Sequence, residues 1–290
     1  MKSSNILKAI AVVSIFFFSF SIFKLSFDTY TLIKQWQSAP SFKVPECVLY
    51  DSIENVLYVS NINGEAEAKD GNGFISKISL DGKIKKLEWI KGLDAPKGLG
   101  LYKGKLFIAD NTKIVIADLK LGRILKQIEV QGSKFLNDIT VDPEGKVYIS
   151  DYKGKRIYKL IGENITIFYE NHDLINPNGL LAVDKQVLMI DMGSGILYSI
   201  GATDAKATVL ADSLQGGDGI ERVGPDEYLI SRWAGEINYV NKDGKVELLL
   251  DTRNQKVNAA DIEYIEGKKL LLIPTFAANT VEAYKLAIKN

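Results

Sequence analysis

The sequence predicts an all-β fold, a six-bladed β-propeller preceded by an N-terminal hydrophobic signal or anchor helix. Three observations carry that prediction. A short strand closing on a small or polar residue recurs six times. It ends at Asn61, Asp110, Asp151, Asp191, Arg232 and Thr275, at intervals of 49, 41, 40, 41 and 43 residues. A second strand-like run follows each, and Asp81-Gly82-Lys83 and Asp243-Gly244-Lys245 then mark hairpins to a third. No long stretch after residue 40 repeats at 3.6 residues, which excludes a solenoid of helical hairpins. A unit of about 40 residues is too short for a seven-stranded sandwich and matches one four-stranded blade.

The first residues form a separate object. Lys2 and Lys8 precede an apolar run from Ala9 to Phe23, broken only by Ser14, Ser19 and Ser21. A positive segment followed by an apolar one is the pattern of an export signal. Ser19-Phe20-Ser21 is a poor match to a small-x-small cleavage site, and extension past Lys24 to Phe27 allows an uncleaved anchor instead. Residues 1–27 are therefore read as a signal peptide or membrane anchor, with a tether through residues 6–27, and residues 28–290 as the propeller. Both readings place the body outside the cytoplasm, periplasmic or extracellular.

Within the body, the strands ending at Asn61 through Thr275 are the second of each blade. Gly73–Ser79, Lys113–Asp118, Arg156–Leu160, Gly195–Ile200, Gly235–Val240 and Thr280–Leu286 are the third. First strands precede them, as in Ile139–Asp142 and Leu180–Val183. The sixth unit ends before a fourth strand. Ring closure therefore requires an outer strand from the segment Tyr30–Val44, at Thr31–Trp36 or at Ser41–Val44.

Composition narrows the chemistry. Lys+Arg and Asp+Glu are both 36, and the absence of a basic excess argues against nucleic acid as partner. One cysteine, Cys47, excludes an intramolecular disulfide and a multi-thiolate zinc site; one histidine, His172, excludes two-histidine metal motifs. Chemistry then rests on carboxylates and amide oxygens.

First strands of a propeller line its axis. Their entrances align at Glu46, Lys97, Asn137, Asn178, Asp218 and Asp261, at the blade period. Buried charge without a partner is costly, so these groups call for compensation. Glu46, Asn137, Asn178 and Asp218 are hard oxygen donors that suit Ca2+, or else Mg2+ or Mn2+. The competing reading is a closed network in which Lys97 neutralises Glu46 or Asp261 and no metal binds.

The entrances Pro45-Glu46, Leu136-Asn137-Asp138, Pro177-Asn178-Gly179-Leu180 and Gly217-Asp218-Gly219 resemble those of the gluconolactonase/regucalcin (senescence marker protein) family, six-bladed propellers with a calcium-dependent hydrolase site. The resemblance covers roughly residues 40 to 290. The family is similar in plan to the diisopropylfluorophosphatase-like phosphotriesterases and the paraoxonases. The resemblance implies that Glu46, Asn178 and Asp218 hold the metal, that Asn137 is a ligand or a substrate contact, and that Asp218 is base or nucleophile. It implies a lactone or related ester as the small-molecule substrate of a monomeric enzyme. Two departures are visible. The paraoxonase-type histidine is absent, and Cys47-Val48 follow Glu46 where the family carries Gly.

Lys97, Asp138, Asp261 and Arg232 are candidates for substrate contact or for support of the ligands. Lys97 is read as an oxyanion donor or as an ion-pair partner of Asp261. Arg232 stands where other blades carry Asp or Asn, and reaches either a substrate anion or another blade. Trp233 is a candidate cavity wall, and the loop Asn63–Asn72 a candidate lid or a plain solvated loop. Two other classes compete: a non-catalytic propeller binding a protein or glycan partner, and a strictosidine-synthase-like lyase. Fold alone does not choose among them.

Overall fold

Buried runs build the blades. The second strand of blade one, Val56–Asn61, is buried at all six positions, because it is covered on both faces by neighbouring blades. Outer strands alternate instead, as in Arg123–Glu129, where Ile124 and Ile128 face inward and Arg123, Lys126 and Gln127 face solvent. The computed structural model describes residues 30–289. The expected signal or anchor helix of residues 1–27 lies outside the described residues.

The chain opens with β1 (Tyr30–Gln37). Blade one follows as β2 (Pro45–Asp51), β3 (Val56–Asn61), β4 (Gly73–Ile78) and β5 (Ile84–Leu93). Blade two is β6 (Pro96–Tyr102), β7 (Lys105–Asp110), β8 (Lys113–Asp118) and β9 (Arg123–Glu129). Blade three is β10 (Leu136–Val141), β11 (Val147–Asp151), β12 (Arg156–Ile161) and β13 (Asn164–Glu170). Blade four is β14 (Pro177–Val183), β15 (Gln186–Asp191), β16 (Ile196–Gly201) and β17 (Ala207–Ala211). Blade five is β18 (Gly217–Gly224), β19 (Glu227–Arg232), β20 (Glu236–Val240) and β21 (Val246–Asp251). Blade six is β22 (Glu263–Ile265), β23 (Leu270–Pro274) and β24 (Val281–Ile288), completed by β1. Every blade is an antiparallel four-stranded sheet. The hydrophobic core is a set of layers between blades. Tyr58 and Ile75 of blade one meet Leu99, Leu106 and Ile108 of blade two, and Val48 and Leu57 meet Leu272 and Val281 of blade six.

Closure uses the first of the two expected segments. β1 pairs with β24 in the register Thr31↔Ala287, Leu32↔Leu286 and Lys34↔Tyr284. Ser41–Val44 is not a strand; Val44 has φ 52 and turns the chain into β2. The ring is thereby joined between the two ends of the propeller, which leaves β24 no free edge.

Two repeating devices fix the inner strands. The first is a carboxylate or amide at the end of the second strand. Asp151 accepts from the backbone N–H groups of Lys134 and Phe135 at 3.0 and 2.8 Å. Asp191 does the same for Ile175 and Asn176 at 2.8 and 2.7 Å, and Asp110 for Asp94 and Ala95. Asn61 accepts from Lys43 at 2.9 Å. The recurrent polar residue thus satisfies the buried backbone of the loop that leads into the first strand.

The second device is a register shift at the same place in five first strands: between Pro45 and Val48, Pro96 and Leu99, Leu136 and Ile139, Pro177 and Leu180, and Gly217 and Ile220. A bulge re-aims a side chain and leaves backbone groups unpaired. Hydroxyls take up the freed N–H groups: Ser60 Oγ from Cys47, Ser150 Oγ from Asp138, and Ser231 Oγ from Gly219. Glu46, Lys97, Asn137, Asn178 and Asp218 are the bulged residues. Gly179 is required next to one of them, since a Cβ there would fall on the Asp218 carbonyl oxygen.

Candidate active site at the axis of the ring

The five bulged side chains converge. Glu46, Lys97, Asn137, Asn178 and Asp218 form the floor of one axial cavity of about 310 Å3. All five are buried. They are linked in series. Asn137 Nδ2 donates to Asn178 Oδ1 in a short contact, and the Asn178 side chain hydrogen-bonds Asp218.

Charge in this floor is unbalanced. Glu46 and Asp218 face a single cation, Lys97, whose side chain is 2% exposed. Lys97 Nζ donates to the Ala95 carbonyl at 2.9 Å and lies 4.4 Å from the centroid of the Phe135 ring. Burial pulls its pKa down to about 8, against the pull of Glu46. Burial raises the Glu46 carboxyl well above its usual range, and the Asp218 charge raises it further. Asp218 is pushed up to about 8, first by burial and then by the charge on Asp138. One oxygen, Glu46 Oε2, is buried and has no hydrogen-bond partner among the described residues. It is the one carboxylate oxygen among five such buried side-chain atoms there, and leaving it unpaired costs stability.

This donor set fits a hard divalent cation. It offers two carboxylates and two amide groups, and a dication would offset the excess negative charge. It has neither thiolate nor imidazole, consistent with calcium, magnesium or manganese and not with zinc. Among the described residues no three His, Cys, Asp or Glu side chains cluster as a metal-binding group, so the fit rests on the mixed carboxylate–amide floor.

Three expected members lie elsewhere. Asp261 does not share the entrance level. It pairs with Cys47 in a parallel bridge and donates its N–H to the Glu46 carbonyl at 3.0 Å, one residue deeper than expected. Ala260 takes the corresponding position of blade six but does not line the upper cavity, and no Lys97–Asp261 ion pair forms among the described residues. Asp138 occupies the same deeper level. Its Oδ2 accepts from Leu180 N and its Oδ1 from Ile139 N, each at 2.6 Å. Asp138 and Asp261 line a second axial cavity of about 300 Å3 together with Glu221 and Glu263, and no basic side chain lines it. Arg232 faces neither cavity. Its Nε donates to the Gln215 carbonyl at 2.7 Å and its guanidinium pairs with Glu236 at 3.0 Å. It holds the lead-in loop of its blade by donating, where Asp151 and Asp191 accept.

The rim of the upper cavity is apolar. Ile62, Phe135, Tyr152, Met192, Trp233 and Phe276 form its walls. Of these, only Trp233 had been indicated by the sequence. Ile62, Tyr152, Met192 and Phe276 stand, like Trp233, directly after the residue that closes a second strand, so the blade period marks their position too, and Phe135 lies in the lead-in loop of blade three. Ala66 of the loop Asn63–Asn72 also reaches the cavity, and the loop is tied down by Asn111 Nδ2 on the Ala68 carbonyl at 2.6 Å and by the Lys153–Glu67 ion pair.

No family model matches the chain, and no curated protein matches it. Solved structures do. A virginiamycin B lyase from Staphylococcus aureus, in a catalytically inactive histidine-to-alanine form with quinupristin, is 14% identical with a TM-score of 0.64, covering 89% of this chain and 100% of that one. A gluconolactonase from Xanthomonas campestris is 16% identical with a TM-score of 0.67, covering 85% of this chain and 87% of that one. A chain of a nidogen–laminin complex is 19% identical with a TM-score of 0.62, covering 76% and 84%. At these identities the likeness shows the fold alone.

Proposed function

We propose that the chain is a metal-assisted hydrolase of a lactone or related ester, acting in the upper axial cavity. The observation that carries this reading is the buried, unpartnered Glu46 Oε2 beside a second carboxylate. A ring that served only to scaffold a protein or glycan has no use for that arrangement, which costs stability unless something completes it. The gluconolactonase among the structural neighbours agrees with the reading. The lyase neighbour is inactive without a histidine, whereas His172 of this chain is 92% exposed on a turn and paired with Asp173.

Glu46, Asn178 and Asp218, with Asn137, would hold a calcium ion. When bound, the ion would polarise the carbonyl of the substrate and favour the negative charge that develops on its oxygen. Asp218, which the bound ion would keep ionised, would accept a proton from water as the water oxygen bonds to the carbonyl carbon. Lys97 Nζ stands in the same floor as a donor to the developing oxyanion. The ring C–O bond then breaks, and the proton held by Asp218 passes to the departing alkoxide, giving a hydroxy acid. Atoms and charge balance with water as the only co-reactant.

The apolar run Ala9–Phe23 behind Lys2 and Lys8 supports export of the enzyme, either free or tethered through residues 6–27. The reading is tested by assaying a panel of lactones and phosphotriesters with added calcium and with chelator. Hydrolysis that needs the metal and falls at least about 100-fold in Asp218→Asn supports it, a loss in the range of a general base. Full hydrolysis by Asp218→Asn with calcium present refutes the assignment of Asp218.

A further inference from the structure

We propose that the upper cavity selects a hydrophobic lactone or ester, with an alkyl or aryl substituent lying against its rim, and rejects a polyhydroxylated sugar lactone. This deepens the hydrolase reading and rests on it for the reaction, but not for the binding preference.

The cavity is divided by polarity. Its charged and amide groups lie on the floor, where the reacting carbonyl belongs, and two of them, Asn137 and Asn178, are engaged with each other. Its walls are aromatic. Phe135 and Tyr152 of blade three pack at 5.7 Å between ring centroids, and Trp233 and Phe276, from blades five and six, meet edge to face at 5.5 Å. Ile62 and Met192 fill the gaps between them. Among these six wall side chains only Tyr152 and Trp233 carry a donor. A sugar lactone carries several hydroxyls, and each one buried here without a partner loses its hydrogen bonds to water. An alkyl or aryl group loses nothing and covers the aromatic faces. The volume, about 310 Å3, lies at the small end of ligand pockets, so the substituent is of modest length. Trp233 is 41% exposed, which leaves apolar area for a substrate to cover.

The test is a calorimetric titration of the calcium-free full-length chain with γ-butyrolactone, γ-octalactone, γ-decalactone and D-glucono-δ-lactone. Initial hydrolysis rates with calcium are measured in parallel. Affinity is expected to rise about fourfold per added methylene until the cavity is full, the equivalent of about 0.8 kcal/mol. D-glucono-δ-lactone is expected to bind at least about 100-fold more weakly than γ-decalactone, the order set by several such increments. Trp233→Ala and Phe276→Ala lie outside the buried core and are expected to keep the fold while flattening the chain-length dependence below about twofold per methylene. Binding of D-glucono-δ-lactone as tight as that of γ-decalactone, no chain-length dependence, no binding of any alkyl lactone, or an unchanged slope in both variants overturns the inference. Chain-length-dependent binding without any hydrolysis upholds the preference and refutes the hydrolase. Hydrolysis of D-glucono-δ-lactone without chain-length dependence does the reverse.

Discussion

Asp138 joins blade three to blade four: its Oδ2 accepts from the backbone N–H of Leu180 at 2.6 Å across the channel wall. Its other oxygen accepts from Ile139 N. The contact lies one residue from Asn137 and two from Asn178, so the geometry of the proposed ligands depends on it. Asp138→Ala leaves two buried N–H groups unpaired and is expected to destabilise the chain by about 1–3 kcal/mol for each N–H that water does not reach. Denaturant unfolding measures this. A loss below about 0.5 kcal/mol, the range of a neutral surface change, would show that the blades do not depend on the carboxylate.

Arg232 is expected to matter for stability and not for catalysis, since its guanidinium is spent on Gln215 and Glu236. Arg232→Ala should cost about 1–3 kcal/mol, the range for hydrogen bonds to a charged group. The kcat/KM for any lactone should change by less than about threefold, under about 0.7 kcal/mol of transition-state stabilisation. A larger fall with unchanged stability would return Arg232 to the substrate.

These two cases show what was legible in the sequence. The period of the second strands revealed the ring and the missing strand of blade six. Five of the six entrance residues also followed from it, because a propeller repeats its inner bulge with its blades. Blade six broke the pattern. β22 is three residues long and begins after Asp261, so the blade period alone puts the Asp one position too early. The apolar residue two places after each bulged residue is the sounder marker: Val48, Leu99, Ile139, Leu180, Ile220 and then Ile262, which puts Ala260 at the entrance. The polar ends of the second strands were visible, but their work as acceptors for the lead-in loops was not, since that depends on contacts 15 to 17 residues away. Five of the six rim residues, Ile62, Tyr152, Met192, Trp233 and Phe276, follow directly on the second-strand ends and share their period, whereas Phe135 lies in a lead-in loop outside it.

Lys97 opposes a bound cation while it relieves the repulsion of Glu46 and Asp218. Lys97→Met is therefore expected to tighten calcium binding by about tenfold, the equivalent of about 1.4 kcal/mol. In chelator the same variant should melt below the parent. Calcium titration and melting of the two forms check both halves. Weaker calcium binding in Lys97→Met would mean that the lysine helps build the site.

The metal-free chain should lose stability as pH rises. Burial pushes the Asp218 carboxyl up to about 8 and that of Asp138 up to about 7 in the folded chain. Unfolded, an aspartate titrates near pH ~3.9. Between those values the folded state holds more protons, so raising pH favours unfolding. Stability is full below pH ~4 for these groups and is lost through about pH 7 to 8. The lowered pKa of Lys97, about 8, acts only above that window, where it works in the opposite direction. In chelator the melting temperature should fall from pH 5 to pH 8, and calcium should shrink that fall because it compensates the ionised carboxylates. A rise over the same interval would contradict the burial of these charges.

Removal of the closing strand should open the ring. Deleting residues 30–37 strips β24 of its partner and uncovers Leu32 and Trp36 contacts with the neighbouring layers. A loss of about 5 kcal/mol or more is expected, about 8 °C or more in Tm for a chain of this size. Differential scanning calorimetry reads the shift; a Tm within about 2 °C of the parent, roughly 1 kcal/mol, would show that closure is dispensable.

Calcium binding, measured by calorimetry in the intact chain and in Glu46→Gln, tests the metal centre most directly. The parent is expected to bind one calcium ion in the upper cavity, releasing protons on binding and gaining thermal stability, while Glu46→Gln binds at least about 30-fold more weakly, a difference of about 2 kcal/mol. Equal binding by both forms, or none by the parent with calcium, magnesium or manganese, would contradict it.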